Sequence, residues 1–453
     1  MALSGRAAAV ALACVLVVLA VRSTITVLVI DGLLLAGIVA DLVLAVPASA
    51  LRLARDGDSR VRLGETATVT ISVANTSRRT LRAQVRDAWP PSARAQPARS
   101  AVRVPGGGAG SVAVTVRPAR HGDCVADRVT VRSFGPLGLA GRQRGRRLPW
   151  TVRALPPFHS RRHLPGKLAQ LRELDGQHRA VRPGQGSEFD SLRSYVTGDD
   201  VRSIDWRSTA RRREVLVRTW RPERDRRIVF VLDTGRTAAG RVAAGGVTAG
   251  QATAGQATAG HLAAGGSAAG YPRLDAFMDA VQLLTALASQ AGDRIDLIAA
   301  DSAIRGRVLA PPRTAALAVV TDALASLESS LTETDWRLVV AAVIAHARRR
   351  CLVVLLTDLN FSVDLLPALR ALTARHELLV GAVADPRLDE LAAGRGDAAS
   401  VYAAAAAARA TGQRSSVSAR LTRLGATVVD APPGRLPAAL ADAYLTLKAR
   451  GRL

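Results

Sequence analysis

The sequence predicts a multidomain chain: an N-terminal transmembrane helical hairpin, a small antiparallel β-sandwich and a C-terminal α/β doubly wound domain. Three observations predict it. Two long apolar runs open the chain, AAAVALACVLVVLAV at 7–21 and ITVLVIDGLLLAGIVADLVLAV at 25–46. From about 60 to 155 apolar and polar residues alternate with period two. From 227 onward short apolar runs alternate with helical patterns. With 453 residues, several domains can each hold a core.

A spanning helix needs about 20 apolar residues, fewer where its ends snorkel. The second run meets this length. The first approaches it, with Leu3 and Arg22 as flanks, so spans are expected at about 5–22 and 25–46 within residues 1–50. Ala48-Ser49-Ala50 resembles a signal cleavage site, but the roughly 40 apolar residues before it exceed a signal peptide's apolar core. Asp31 and Asp41 lie inside the second run. A carboxylate at that depth is costly, and facing the partner helix or an interface is the expected resolution. Arg52, Arg55, Arg60 and Arg62 follow the hairpin, against Arg22 alone in its connection. The positive-inside rule then predicts a multi-pass protein of the cell membrane with the bulk of the chain cytoplasmic. Three widely spaced cysteines, Cys14, Cys124 and Cys351, fit a reducing compartment.

Residues 51–155 carry the strand pattern. VRLGETATVTISVANTSRRTLRAQVRDAW, SVAVTVRPA and DRVTVRSFGPLGLAG are separated by turns such as Pro105-Gly106-Gly107-Gly108. This spacing predicts the sandwich, a spacer or interaction module. Residues 156–226 hold a Pro-, Arg- and His-rich linker to about 185, then a stretch rich in aspartate and arginine, GSEFDSLRSYVTGDDVRSIDW, at 186–206.

In residues 227–453 the expected strands are RIVFVLD (227–233), RIDLIAA (294–300), CLVVLLTD (351–358), ELLVGAVAD (377–385) and GATVVDA (425–431). Helical patterns at 272–290, 312–327, 335–349, 363–376 and about 435–449 alternate with them. An insertion at about 238–270 contains QATAG-QATAG. Its small residues cannot bury a core, and disorder is expected there.

The formal charge is +25, but the only lysines are Lys167 and Lys448 and the arginines are spread over every region. No nucleic-acid face stands out. No HExxH cluster, Ser/His/Asp order, Cys/His pair or phosphate-cradling glycine loop is present. An enzyme and a small-molecule substrate are therefore not expected.

In an open parallel sheet, ligands bind beyond the carboxyl ends of the strands. Two predicted strands end in aspartate, at Asp233 and Asp358, and hydroxyls follow the first at Thr234 and Thr237. Hard oxygens so gathered suit Mg²⁺. An aspartate there also caps a following helix. Residues 227–431 resemble a von Willebrand factor type A domain, whose adhesion site reads Asp-x-Ser-x-Ser with a distant Thr and a distant Asp. The resemblance implies a metal set of Asp233, Thr237, Thr334 (with Thr332 as its neighbouring alternative) and Asp358. Gly235 stands in place of the first Ser, one ligand short, so Gly235→Ser is expected to strengthen ion binding.

Residues 184–220 resemble the hallmark of the family known as domain of unknown function 58. That resemblance implies a membrane-anchored partner of MoxR-type AAA+ ATPases, in chaperone-like or assembly work. Within the hallmark, Arg193, Asp199, Asp200, Arg202, Asp205, Trp206 and Arg207 are expected to form a charge-paired clasp and to present the partner-binding surface. The leading expectation is a non-catalytic interaction protein. Two other classes stand beside it: a hydrolase-like enzyme using the Asp199/Asp200/Asp205 carboxylates, and an exported adhesin with the opposite topology.

Overall fold

The computed structural model describes residues 2–21, 23–179, 188–197, 199–221, 226–243, 270–359 and 365–451. They divide into two compact units, ending and beginning at Pro156 and Pro157.

In the first unit, helices α1 (Gly5–Val21) and α2 (Thr24–Leu44) account for the two apolar runs. Among the described residues, only the second run, Thr24–Ala50, is long and apolar enough to cross a membrane. With 17 residues, α1 is shorter. Asp31 is exposed on α2, whereas Asp41 is fully buried. The Asp41 carboxylate accepts backbone N–H bonds from Leu137 (2.8 Å), Leu139 (2.5 Å) and Ala140 (3.1 Å). So Asp41 is committed to a loop of the following β module and not to the partner helix. Gly135 makes room for it, since a Cβ there would lie 2.3 Å from Asp41 Oδ1.

The β module consists of two packed sheets. One contains Ala140–Leu155, Gly122–Phe134, Leu81–Asp87 and Ser100–Val104, with Arg60–Arg62 parallel to the first of these. The other contains Leu51–Gly57, Ala67–Asn75 and Ala109–Val116, all antiparallel. Alternation dictates the packing. In Ala67–Asn75 the residues Val69, Ile71 and Val73 point into the shared core, and those between face out. Arg55 departs from the sequence reading. It is buried, ion-paired with Asp87 and bonded to the Ala126 carbonyl, and so adds no charge at a membrane surface.

The second unit begins with a short turn, His159–His163, and helix α3 (Leu164–Arg179). The expected linker is thus helical. Leu164, Leu168, Leu171 and Leu174 recur at helical spacing and pack on the core. Ser160 donates to the Asp279 carboxylate at 2.8 Å, and the Pro157 carbonyl accepts from Gln282. Next come the hallmark hairpin, Glu188–Ser194 with Leu216–Arg221, and helix α4 (Trp206–Arg212) between its strands.

The sheet that follows holds β1 (Arg227–Asp233), β2 (Arg294–Ala300), β3 (Ile304–Val308), β4 (Leu352–Leu356), β5 (Glu377–Val383) and β6 (Thr427–Ala431). Their order is β3-β2-β1-β4-β5-β6, parallel except for the β3 edge. Around it lie α5 (Arg273–Gln290), α6 (Ala316–Ala325), α7 (Trp336–His346), α8 (Leu365–Thr373), α9 (Arg387–Ala392), α10 (Ala398–Arg423) and α11 (Leu436–Ala449). Both faces of β1 are covered, so its run is continuously apolar. Ile228, Phe230 and Leu232 pack with α5, α6 and α11; Val229 and Val231 pack with α7, α8 and α10.

Most of the expected insertion, residues 244–269, lies outside the described residues. Its start is built into the fold: Arg241–Val242 pairs with Tyr271–Pro272, and Val242 is a buried core residue.

Candidate functional site

The sheet order reverses between β1 and β4, which opens a crevice at their carboxyl ends. Asp233 closes β1, and Thr357 and Asp358 follow β4 directly. Both aspartates therefore stand at the switch point, but their surroundings differ.

Asp233 is held by hydroxyls. Its Oδ1 accepts from Thr334 Oγ1 (2.5 Å) and the Gly235 N–H (2.9 Å); its Oδ2 accepts from Thr357 Oγ1 (2.6 Å) and Thr237 Oγ1 (2.8 Å). The expected residues Asp233, Thr237 and Thr334 thus meet. Thr332 instead shares a bond with Ser330 (2.7 Å), while the backbone of the same loop is tied to Thr234 and Arg236. Thr357 escaped the sequence reading; its signal was a hydroxyl in the last position before the strand-end aspartate.

Asp358 is held by arginines, contrary to its expected role as a metal ligand. Arg273 Nη1 meets Oδ2 at 2.5 Å, and Arg414 Nη1 pairs with Oδ1. Arg273 Nη1 also lies 3.4 Å from the Thr237 carbonyl. Arg414 continues to Asp430 Oδ1 (2.7 Å) and the Val383 carbonyl (3.1 Å), tying α10 to β5 and β6. Asp301, at the end of β2, follows the same rule. Burial raises its pKa, but bonds from Arg305 and Ser330 outweigh this and hold it below the carboxylate range.

This arrangement does not fit a divalent ion that draws on Asp358. Two guanidinium groups already compensate that carboxylate, and all four bonds to Asp233 come from protein donors. Gly235 cannot simply regain its serine either. A Cβ there would lie 2.3 Å from Thr334 Oγ1 and 3.0 Å from the Thr332 carbonyl, so an added side chain evicts a proposed ligand.

In the hallmark, the three aspartates do not converge. Asp199 forms a two-pronged pair with Arg193 (2.5 and 2.7 Å) and accepts the Val196 N–H. Asp200 caps the next turn through the Arg202 N–H. Asp205 caps α4 through the Ser208 N–H (3.0 Å) and binds Arg218 Nε (2.8 Å). Arg193 and then Val196 hold Asp199 below the usual carboxylate range; Ser208 and then Arg218 do the same for Asp205. The clasp is therefore internal to the hairpin. Its carboxylates shape a surface on which Trp206 is 66% exposed and Val196, Val201, Val215 and Tyr195 are also exposed. Arg202, Arg207, Arg211, Arg212 and Arg213, in the same stretch of sequence, are exposed as well. Neither buried thiol supplies a nucleophile: burial raises Cys124 and pushes Cys351 up to about 12.

Residues 191–260 and 262–408, spanning the hallmark and most of the sheet, match the family model "Protein of unknown function DUF58". This C-terminal region is similar to the DUF58 family. The uncharacterized proteins Mb1516 of Mycobacterium bovis and Rv1480 of Mycobacterium tuberculosis are each 30% identical over 227 residues, which is 48% of this chain. The matched stretch spans 61% of the length of these relatives. Among solved structures, the CARDB domain of PF1109 from Pyrococcus furiosus overlaps 23% of this chain and 87% of its own at 12% identity, with a TM-score of 0.18. Native alpha-2-macroglobulin from Escherichia coli overlaps 25% of this chain and 18% of its own at 16% identity, TM-score 0.21. Likenesses this slight carry no argument.

Proposed function

We propose that this protein is a membrane-anchored, non-catalytic interaction protein that engages a protein partner through the hallmark hairpin. The observation that carries the reading is the exposed Trp206, set among exposed aliphatic side chains and arginines while every nearby aspartate is satisfied locally. Exposed aromatic and arginine side chains are the usual anchors of protein interfaces. An enzyme reading needs convergent carboxylates, and Asp199, Asp200 and Asp205 each serve a different local donor. The partner we propose is an AAA+ ATPase of the MoxR type, on the strength of the hallmark's resemblance.

We read the second unit as type A-like. The strand order, the antiparallel β3 edge and the meeting of Asp233 with Thr237 and Thr334 support this. We assign the cluster no metal-dependent step. We read α1 and α2 as a hairpin with both outer ends on the β-module side. Ser4, just before α1, donates to the Gly138 carbonyl (2.6 Å) and the Leu139 carbonyl (2.9 Å). Asp41, near the end of α2, is held by the same loop. The positive-inside rule would put that side in the cytoplasm.

The test is binding of the full-length chain in detergent to a purified MoxR-type ATPase. Trp206→Ala should weaken binding by about 30-fold, the scale of an interface anchor. Unchanged affinity overturns the hallmark as the docking surface.

A further inference from the structure

The junction between the apolar helices and the β module is crowded with arginine. Arg79 Nη1 donates to the Val43 carbonyl (3.1 Å) and the Leu44 carbonyl (3.4 Å). Arg142 Nε donates to the Leu42 carbonyl at 2.8 Å. These two caps satisfy carbonyls at the end of α2, where the helix dipole favours cations. Arg82 Nη1 donates to the Pro136 carbonyl at 3.1 Å, on the loop that seats Asp41. Arg6 Nη1 approaches Gly138 of that loop, 3.2 Å from where a Cβ would be. All four arginines are exposed. Arg6, Arg79, Arg82 and Arg142 form no ion pair among the described residues. The one carboxylate beside them, Asp41, is fully buried and committed to three N–H groups.

Each guanidinium carries five N–H donors; Arg79, Arg82 and Arg142 each use only one or two here, and the Arg6 side chain makes no hydrogen bond among the described residues. The others face outward as a charged collar. Apolar side chains lie within the same ring: Leu3, Val43, Leu44 and Leu137 are all exposed. Water is a poor environment for such a mixture, and a solvated surface does not require it. The boundary between headgroups and acyl chains matches it. Arginine there reaches phosphate with two-pronged, charge-assisted bonds, and leucine enters the chains.

We propose that this collar binds the phosphate of anionic phospholipids and sets the depth of the anchor. The inference rests on the reading of α2 as a membrane anchor. The α2 end, the loop 135–140 and the four arginines then act as one rigid seat, because Asp41 locks helix to loop from inside while the arginines lock it from outside.

The experiment uses the full-length chain in nanodiscs of phosphatidylcholine, with or without phosphatidylglycerol, read by thermal unfolding and by the lipid retained on mild extraction. Phosphatidylglycerol should be retained preferentially and should raise the midpoint. Each arginine removed should cost on the order of fivefold in that preference, the worth of one basic residue at an anionic surface. Arg79→Gln and Arg142→Gln also remove helix caps, so Arg6→Gln with Arg82→Gln is the cleaner pair; it touches no α2 carbonyl. Arg409→Gln, exposed on α10, should change nothing. Equal retention of both lipids by an integral wild-type protein overturns the collar alone. Inorganic phosphate reproducing the shift in phosphatidylcholine discs overturns the lipid as the ligand. Release of the protein from membranes by alkaline carbonate overturns the anchor, and the collar with it.

Discussion

The hallmark hairpin and the strand ends of the sheet are both rich in aspartate, and they use it in opposite ways. At the strand ends the carboxylates are buried and hold separate elements together: Asp233 gathers the loops after β1, α6 and β4, and Asp358 gathers α5 and α10. In the hallmark they are turned back on their own segment and leave the apolar side chains outside. The first arrangement consumes its charges in holding the fold. The second consumes them in shaping a surface. Residue type alone does not distinguish the two; burial and the reach of the partner do.

Substitutions at the strand ends should therefore be read in stability. The largest effect is expected for Asp358→Ala, which leaves the buried Arg414 and the half-buried Arg273 without their shared carboxylate. About 3–5 kcal/mol should be lost, the cost of breaking a buried pair on one side, as measured by denaturant unfolding. Gly235→Ser should cost about 1–3 kcal/mol through overpacking against Thr334. Most of that cost should vanish on a Thr334→Ala background, where the colliding oxygen is absent. A gain in Mn²⁺ affinity on Gly235→Ser, measured by calorimetry, would restore the metal reading. Asp233→Asn should cost only about 1 kcal/mol, because hydroxyl donors can turn to accept from an amide.

In the hallmark the effects on stability should be small. The folded pKa values of Asp199 and Asp205 lie below their unfolded values, near 3.9 for an aspartate. Their contribution is thus complete above about pH 4 and is lost as pH falls through the folded values. Carboxylate carbon shifts followed by NMR should show both groups titrating below the usual range. Trp206→Ala should change the unfolding free energy by no more than about 0.5 kcal/mol. A larger loss would mean that the indole is packed, and the contrast between the regions would fail.

Much of the second unit was legible because its strands are covered on both faces. RIVFVLD and CLVVLL read as buried strands, and the resemblance to the type A adhesion motif brought Asp233 together with Thr334, with Thr332 as its alternative. Long-range partners were not legible. Arg414 lies in an alanine-rich helix, 56 residues from Asp358, and nothing local marks it as buried. Asp41 was expected to face the partner helix or an interface, because its actual donors lie 96 to 99 residues further along the chain. Helix α3 was hidden because prolines, arginines and histidines surround its four spaced leucines. In each case the deciding contact was tertiary, and local pattern carries no record of it.

The most direct test compares the two regions as contact surfaces. A photo-crosslinking residue replaces either Trp206, in the hallmark, or Glu333, exposed beside the strand ends, in the full-length chain in its own membranes. A crosslinked protein at position 206 and none at 333, identified by mass spectrometry as an AAA+ ATPase, is the expected result. The same protein captured at 333 and not at 206 would contradict it, and would return the partner to the strand ends.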